Sequence, residues 1–176
     1  MIFSESSLPG VWLVKPEPRE DFRGLFARTW CQREFAAAGL TERWVQSSIS
    51  LTKKRGTLRG MHFQRAPYEE VKLVRCTAGA VLDVVLDLRP DSPTFKAHVA
   101  VELTAQNRWM IYIPKGCAHG FQTLQDDVEV LYDISQFYAP EHAAGVRWDD
   151  PAFGISWADP DPIMSERDRT FADFQA

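Results

Sequence analysis

Cysteine is scarce: Cys31, Cys76 and Cys117 are the only three in 176 residues, an odd and widely spaced set without a C-x-x-C pair. That pattern supports neither a disulfide framework nor a thiolate zinc site, so the three read as reduced core thiols. Long apolar runs are missing too, none approaching the roughly 20 residues of a membrane helix. The opening segment MIFSESSLPG has no basic leader. A cytoplasmic protein with no membrane partner is expected. An excess of positive charge is also lacking: the formal net charge is −4, which gives no general field for attracting nucleic acid. With no linker, repeat or low-complexity tract, residues 1–176 read as one domain with a core of its own.

What the chain does have is a succession of short segments rich in Val, Ile, Thr and aromatics, separated by Gly, Pro or Asp clusters. That spacing predicts an all-β sandwich or barrel of at least eight strands. Segment 80–88, AVLDVVLDL, puts Leu82, Val84, Leu86 and Leu88 on one face. Asp83 and Asp87 share the other with Val81 and Val85, which suggests a partly buried polar site. One helix is predicted, over Gln32 to Ala38, closed by Gly39. From Tyr138 onward, Pro140, Pro151, Pro160 and Pro162 predict loops and short turns wrapped around the sheets.

Residues 56–64, GTLRGMHFQ, and 114–121, PKGCAHGF, resemble the two half-motifs of the cupin superfamily. Metal-binding cupins carry H-x-H and a later Glu in the first half and one more His in the second. Here the first half reads His62-Phe63-Gln64, so one imidazole is missing. Gln is a poor substitute for it, and neither a metal nor another cofactor is expected. The resemblance implies a double-stranded β-helix, or jelly-roll, barrel with a short accessory helix and a loop-rich C-terminal wrap. His62 then becomes the natural general base. Arg59, three residues away, nominally points to the opposite face of its strand, but Gly60 between them could mark a bulge that re-aims one of the two. His98 alternates with Ala100 and Glu102 on a solvent face and His142 lies in a Pro-bounded loop, so neither is assigned chemistry.

Across roughly Asp21 to Asp168 the chain resembles the dTDP-4-dehydrorhamnose 3,5-epimerase family. The matching pieces are DFRGLF (21–26), VQSSIS (45–50), GTLRGMHFQ (56–64), VKLVR (71–75) and VLDVVLDLRPDSPT (81–94). IPKGCAHGF (113–121), YDISQFYAPE (132–141) and RWDDP (147–151) complete the set. The resemblance implies a homodimer that inverts carbons 3 and 5 of a nucleoside-diphosphate 4-keto-6-deoxy sugar. In that reading His62 removes the proton, Asp168 orients and charges the imidazole, Lys72 holds the enolate oxygen and Tyr132 returns a proton from the opposite face. Asp83 is a second candidate for steadying His62 or a nearby cation. Arg23, Arg59 and His119 match positions that contact the diphosphate or sugar, with Gln46 nearby, and Arg23 comes from the partner subunit. Tyr138 is assigned to stacking on the base. It shares parity with Tyr132, about 20 Å away if their strand continues at about 3.3 Å per residue.

Four positions depart from the family pattern: Arg28 and Ala143 stand where it has Glu, Ser48 where it has Asn, and Glu70 where it has Gln. Arg167 more mildly replaces Lys. Arg28 can only donate hydrogen bonds, whereas the family's Glu accepts one from thymine. This leaves the nucleotide open between dTDP and CDP or GDP, and inversion at one carbon would use the same machinery as inversion at two. Two readings of other classes stand beside the epimerase: a cupin that only binds a sugar nucleotide, and a metal-dependent cupin oxygenase.

Overall fold

The computed structural model describes residues 1–40 and 43–174. Thirteen strands and two short helices succeed one another among them: β1 (Ile2–Glu5), β2 (Trp12–Lys15), β3 (Arg19–Asp21), β4 (Gly24–Phe26), α1 (Gln32–Ala37), β5 (Gln46–Thr52), β6 (Leu58–Gln64), β7 (Lys72–Ala78), β8 (Ala80–Asp87), β9 (His98–Thr104), β10 (Met110–Ile113), β11 (Cys117–Thr123), β12 (Val128–Ile134), β13 (Ala143–Gly145) and α2 (Glu166–Arg169). Two antiparallel sheets, ordered β1-β2-β10-β7-β12-β5 and β13-β6-β11-β8-β9, form a jelly roll, while β3 and β4 make a separate hairpin. The two sheets face each other without closing into one hydrogen-bonded cylinder, which is the jelly-roll form of the barrel that the motifs implied. No described helix is long and apolar enough to cross a membrane.

The two-residue alternation of each strand explains this architecture. Val74, Ile111, Val130, Val81, Val85 and Phe121 point inward from both sheets and form the main core. The outer face of the six-stranded sheet is covered by α1, whose Phe35 packs on Val14, Leu73, Met110 and Tyr112. The outer face of the five-stranded sheet, Met61, Val84, Leu86 and Ala118, lies beneath Val146, Phe153, Ile155, Trp157 and Phe174 of the C-terminal wrap. Because the wrap covers it, β8 is buried on both faces, and its alternating pattern places Asp83 inside. Helix α1 ends one residue before the predicted Ala38, with Gly39 taking up a φ of +71° beyond it.

Gly60 fulfils the expectation placed on it. His119 pairs with His62 and Phe121 with Arg59, so two steps along β11 oppose three along β6. The extra residue brings Arg59 and His62 to the same, inward face. Gly60 has a φ of +147°, and a Cβ there would stand 2.5 Å from Gly120 Cα, a backbone atom that cannot yield. Gly60→Ala is therefore expected to cost about 3 kcal/mol, in the upper range for overpacking, read as a lowered urea midpoint at unchanged slope.

Candidate active site

The inward residues at one end of the sandwich leave a cavity of about 690 Å³. His62 and Arg59 come from β6, Lys72 from β7, His119 from β11, Tyr132 from β12, and Gln46 and Ser48 from β5. Tyr138, Arg167 and Asp168 reach it from the segments that follow. Ten of the residues singled out in the sequence thus share one chamber. Arg23 and Arg28 do not line it. Arg23 lies on the exposed β3–β4 hairpin, paired with Asp21, and Arg28 pairs with Glu34 at 2.8 Å.

His62 is the most developed element of the site. Its Nε2 lies 2.7 Å from Asp168 Oδ1, while Asp168 Oδ2 accepts the Gly60 amide at 3.2 Å. Burial alone would push the Asp168 carboxyl up, but the bonds from His62 and Gly60 and the charges of His62 and Arg167 outweigh it and hold the carboxyl below its ordinary value of 3.8. An ionised Asp168 can only accept, so Nε2 carries the ring proton and Nδ1 is the basic nitrogen. The local chain accounts for the placement of Asp168. Ser165 caps α2, accepting the Asp168 amide at 3.2 Å, and fixes the turn from which the carboxylate reaches back 106 residues to His62. Phe171, on the same segment, sets its ring against the imidazole at 6.1 Å and 73°, an edge-on contact.

Asp168→Asn is expected to lower turnover about 10²-fold, because the amide keeps an acceptor for Nε2 but loses the charge that supports an imidazolium. A carboxyl depressed by folding stabilises the native state above its unfolded pKa, and that contribution is lost as pH falls through the folded value. The same substitution should therefore flatten the fall of melting temperature with acid below about pH 4.

Tyr132 is half-buried, lining the cavity with its ring packed against the main core. Burial, reinforced by the charge of Asp83 and opposed by Arg59, pushes its phenol far above the ordinary range, so it remains a proton donor at any physiological pH. His119 Nε2 lies 2.9 Å from Asp83 Oδ2, with both side chains almost fully buried. Asp83 therefore partners His119 and not His62, which removes the first of the two roles considered for it: strand parity gave its face correctly but could not choose between two inward histidines. Lys72 Nζ stands 3.0 Å from Glu70 Oε1 and 3.4 Å from the His62 carbonyl. Arg59 Nε donates to Thr52 Oγ1 at 3.0 Å.

The expectation that Tyr132 and Tyr138 share one continuous strand is also corrected. Strand β12 ends at Ile134, where β5 runs out at Gln46, and Tyr138 lies in the loop beyond. That loop is held by side chains instead of a sheet ladder. Gln64 accepts the Ala139 amide at 2.7 Å and donates to the Tyr68 and Phe137 carbonyls, and Gln46 Oε1 accepts the Tyr138 amide at 2.7 Å. The residue standing where a metal-binding cupin has its second imidazole is committed to latching Tyr138 in place. Ala143, expected in a loop, opens β13 opposite Gln64. His98 bonds the Phe153 carbonyl at 3.1 Å and His142 lies against Tyr68, both structural roles. Among the described residues, no group of three or more His, Cys, Asp or Glu is arranged to hold a metal ion.

A jelly roll whose cavity gathers a His–Asp pair, a lysine and a half-buried tyrosine has the makings of a side-chain acid–base enzyme. Residues 5–176 match the family model described as dTDP-4-dehydrorhamnose 3,5-epimerase. The chain is 40% identical over 173 residues to the enzyme of that name from Sinorhizobium fredii, covering 96% of this chain and 87% of the relative. The crystal structure of the Bacillus anthracis dTDP-4-dehydrorhamnose 3,5-epimerase with TDP and PPi bound superposes with a TM-score of 0.96 at 36% identity, covering 98% of this chain and 99% of that one. A 3'-monoepimerase from Streptomyces bikiniensis in complex with dTDP-quinovose gives a TM-score of 0.89 at 33% identity, covering 96% and 85%. The chain belongs to the dTDP-4-dehydrorhamnose 3,5-epimerase family, and with it to the isomerases that epimerise sugar nucleotides.

Proposed function

We propose that this enzyme inverts carbons 3 and 5 of a dTDP-linked 4-keto-6-deoxyhexose by proton transfer through an enolate. The observation that carries the reading is the convergence of His62–Asp168, Lys72 and Tyr132 on one cavity. His62 takes the proton beside the ketone, and the Asp168 carboxylate stabilises the imidazolium. The Lys72 ammonium bonds the ketone oxygen as it becomes an enolate, which lowers the cost of ionising so weak a carbon acid. Tyr132 delivers a proton to the same carbon from the opposite face, and the configuration inverts. Arg59, Arg167, His119, Gln46 and Ser48 hold the sugar diphosphate, and Tyr138, 60% exposed at the cavity mouth, offers its ring to the base.

The β3–β4 hairpin supports a homodimer with Arg23 shared across the interface: Phe22 is 98% and Phe26 74% exposed, an apolar arm that needs a cover. Three free cysteines fit a reducing, cytoplasmic compartment. The family match and the neighbours crystallised with TDP or dTDP-quinovose favour dTDP as the nucleotide.

The test offers dTDP-, CDP- and GDP-linked 4-keto-6-deoxyglucose in deuterated water and locates deuterium at each carbon. Label at carbons 3 and 5 of the dTDP sugar is expected. Label at carbon 3 alone would make the enzyme a single-site epimerase like its Streptomyces bikiniensis relative, preference for CDP or GDP would move the substrate, and no label would leave a binding protein.

A further inference from the structure

The pair formed by Glu70 and Lys72 stands out because it is costly. Val71 points outward into the layer beneath α1, so its neighbours on either side, two residues apart on an extended segment, both turn toward the cavity. Their side chains are only 7% and 13% exposed, and the Lys72 ammonium lies 3.0 Å from Glu70 Oε1. The other carboxylate oxygen, Oε2, is buried with no hydrogen-bond partner among the described residues. A carboxylate enclosed with half its acceptor capacity unmet is a poor stabilising device, since its desolvation is only partly compensated. Glu70 is also where the sequence departs from the pattern it otherwise follows, with an acid in the place of an amide.

What the carboxylate does achieve is to fix an otherwise mobile group. Lysine carries its charge on a flexible four-carbon stem. Here the stem's end is held between Glu70 and the His62 carbonyl at 3.4 Å, on the strand of the base itself. We propose that Glu70 is a positioning residue that holds the Lys72 ammonium beside His62, so that the cation meets the ketone oxygen when the imidazole takes the neighbouring proton. The assignment rests on the epimerase reading above. It adds to it the group that places the enolate-binding cation.

The test measures deuterium wash-in, kcat and KM for wild type, Glu70→Ala, Glu70→Gln, Lys72→Met and the Lys72→Met/Glu70→Ala double variant, together with melting temperatures. Glu70→Ala is expected to lower kcat and wash-in about 10²-fold, the scale of a catalytic group displaced by about an ångström, with KM changed much less. The melting temperature should fall as well, because the Lys72 ammonium is left buried without its counter-charge, so kcat is compared at a temperature where every variant is folded. Glu70→Gln keeps an oxygen acceptor for the ammonium and should lose less than Glu70→Ala. In the Lys72→Met background, Glu70→Ala should have no further effect, since the group it positions is gone.

Wild-type exchange that Glu70→Ala leaves unchanged overturns the assignment, as does a Glu70→Ala loss that adds in full to that of Lys72→Met. A lowered melting temperature with unchanged kcat would make Glu70 structural. Absence of exchange by the wild-type enzyme on every sugar nucleotide overturns the epimerase reading itself, and the assignment with it.

Discussion

Replacing His62 by Asn should abolish deuterium uptake at both carbons next to the ketone, a loss of about 10³-fold or more, within the range a positioned general base supplies. The size of the loss follows from how much of the site serves this one ring. Asp168 fixes its tautomer, the Gly60 amide fixes Asp168, Phe171 braces its face, and the extra residue in β6 aims it inward. Asparagine has no basic nitrogen and does not extend to the position of Nε2. Folding should be affected little, because the His62 side chain is 39% exposed and the core beneath it belongs to other residues. Proton exchange followed by NMR, with circular dichroism as the control for folding, checks both statements. Uptake within tenfold of wild type would show that another group is the base.

Tyr132→Phe should separate two events that His62→Asn removes together. The phenol is kept protonated by burial, and in the proposed mechanism loss of its hydroxyl removes the donor on the far face while leaving the acceptor on the near one. Exchange through His62 should continue, because the imidazole can return a deuteron to the face from which it took the proton. Inversion should fall by about 10²-fold or more, the scale of a lost general acid. Deuterium would then accumulate in substrate of unchanged configuration, which coupling constants in the sugar ring distinguish from product. Inversion at the wild-type rate would assign the second proton to another donor.

The residues that line the cavity were named in advance through the family motifs, and what local pattern added was the face that each strand residue occupies. His62, Lys72 and Tyr132 each sit on a strand whose alternation fixes the face they occupy, and Gly60 announced the irregularity that reconciles Arg59 with His62. Parity was also enough to place Asp83 inside β8, but not to choose its partner, because two histidines face inward at paired positions, His62 and His119. The reach from Tyr132 to Tyr138 failed for a different reason. A strand lasts only as long as its neighbour, and the composition of 135–138 does not record where β5 stops. Phe171 was missed because its contact with His62 spans more than a hundred residues and involves no polar group. Ser165, by contrast, was legible: a serine three residues before Asp168 is a helix-start signal short enough to overlook among prolines.

The position of Asp168 in the chain has a consequence for synthesis. Every strand of the sandwich has been made before the segment bearing Asp168 and Phe171 emerges, so the imidazole acquires its counter-charge last. A product that stops after β13 would lack the carboxylate, the aromatic brace and also Phe153, Ile155 and Trp157, which cover the outer face of the five-stranded sheet. One stretch of chain thus delivers both the counter-charge of the imidazole and the cover of the five-stranded sheet, so a break ahead of it removes activity and stability together.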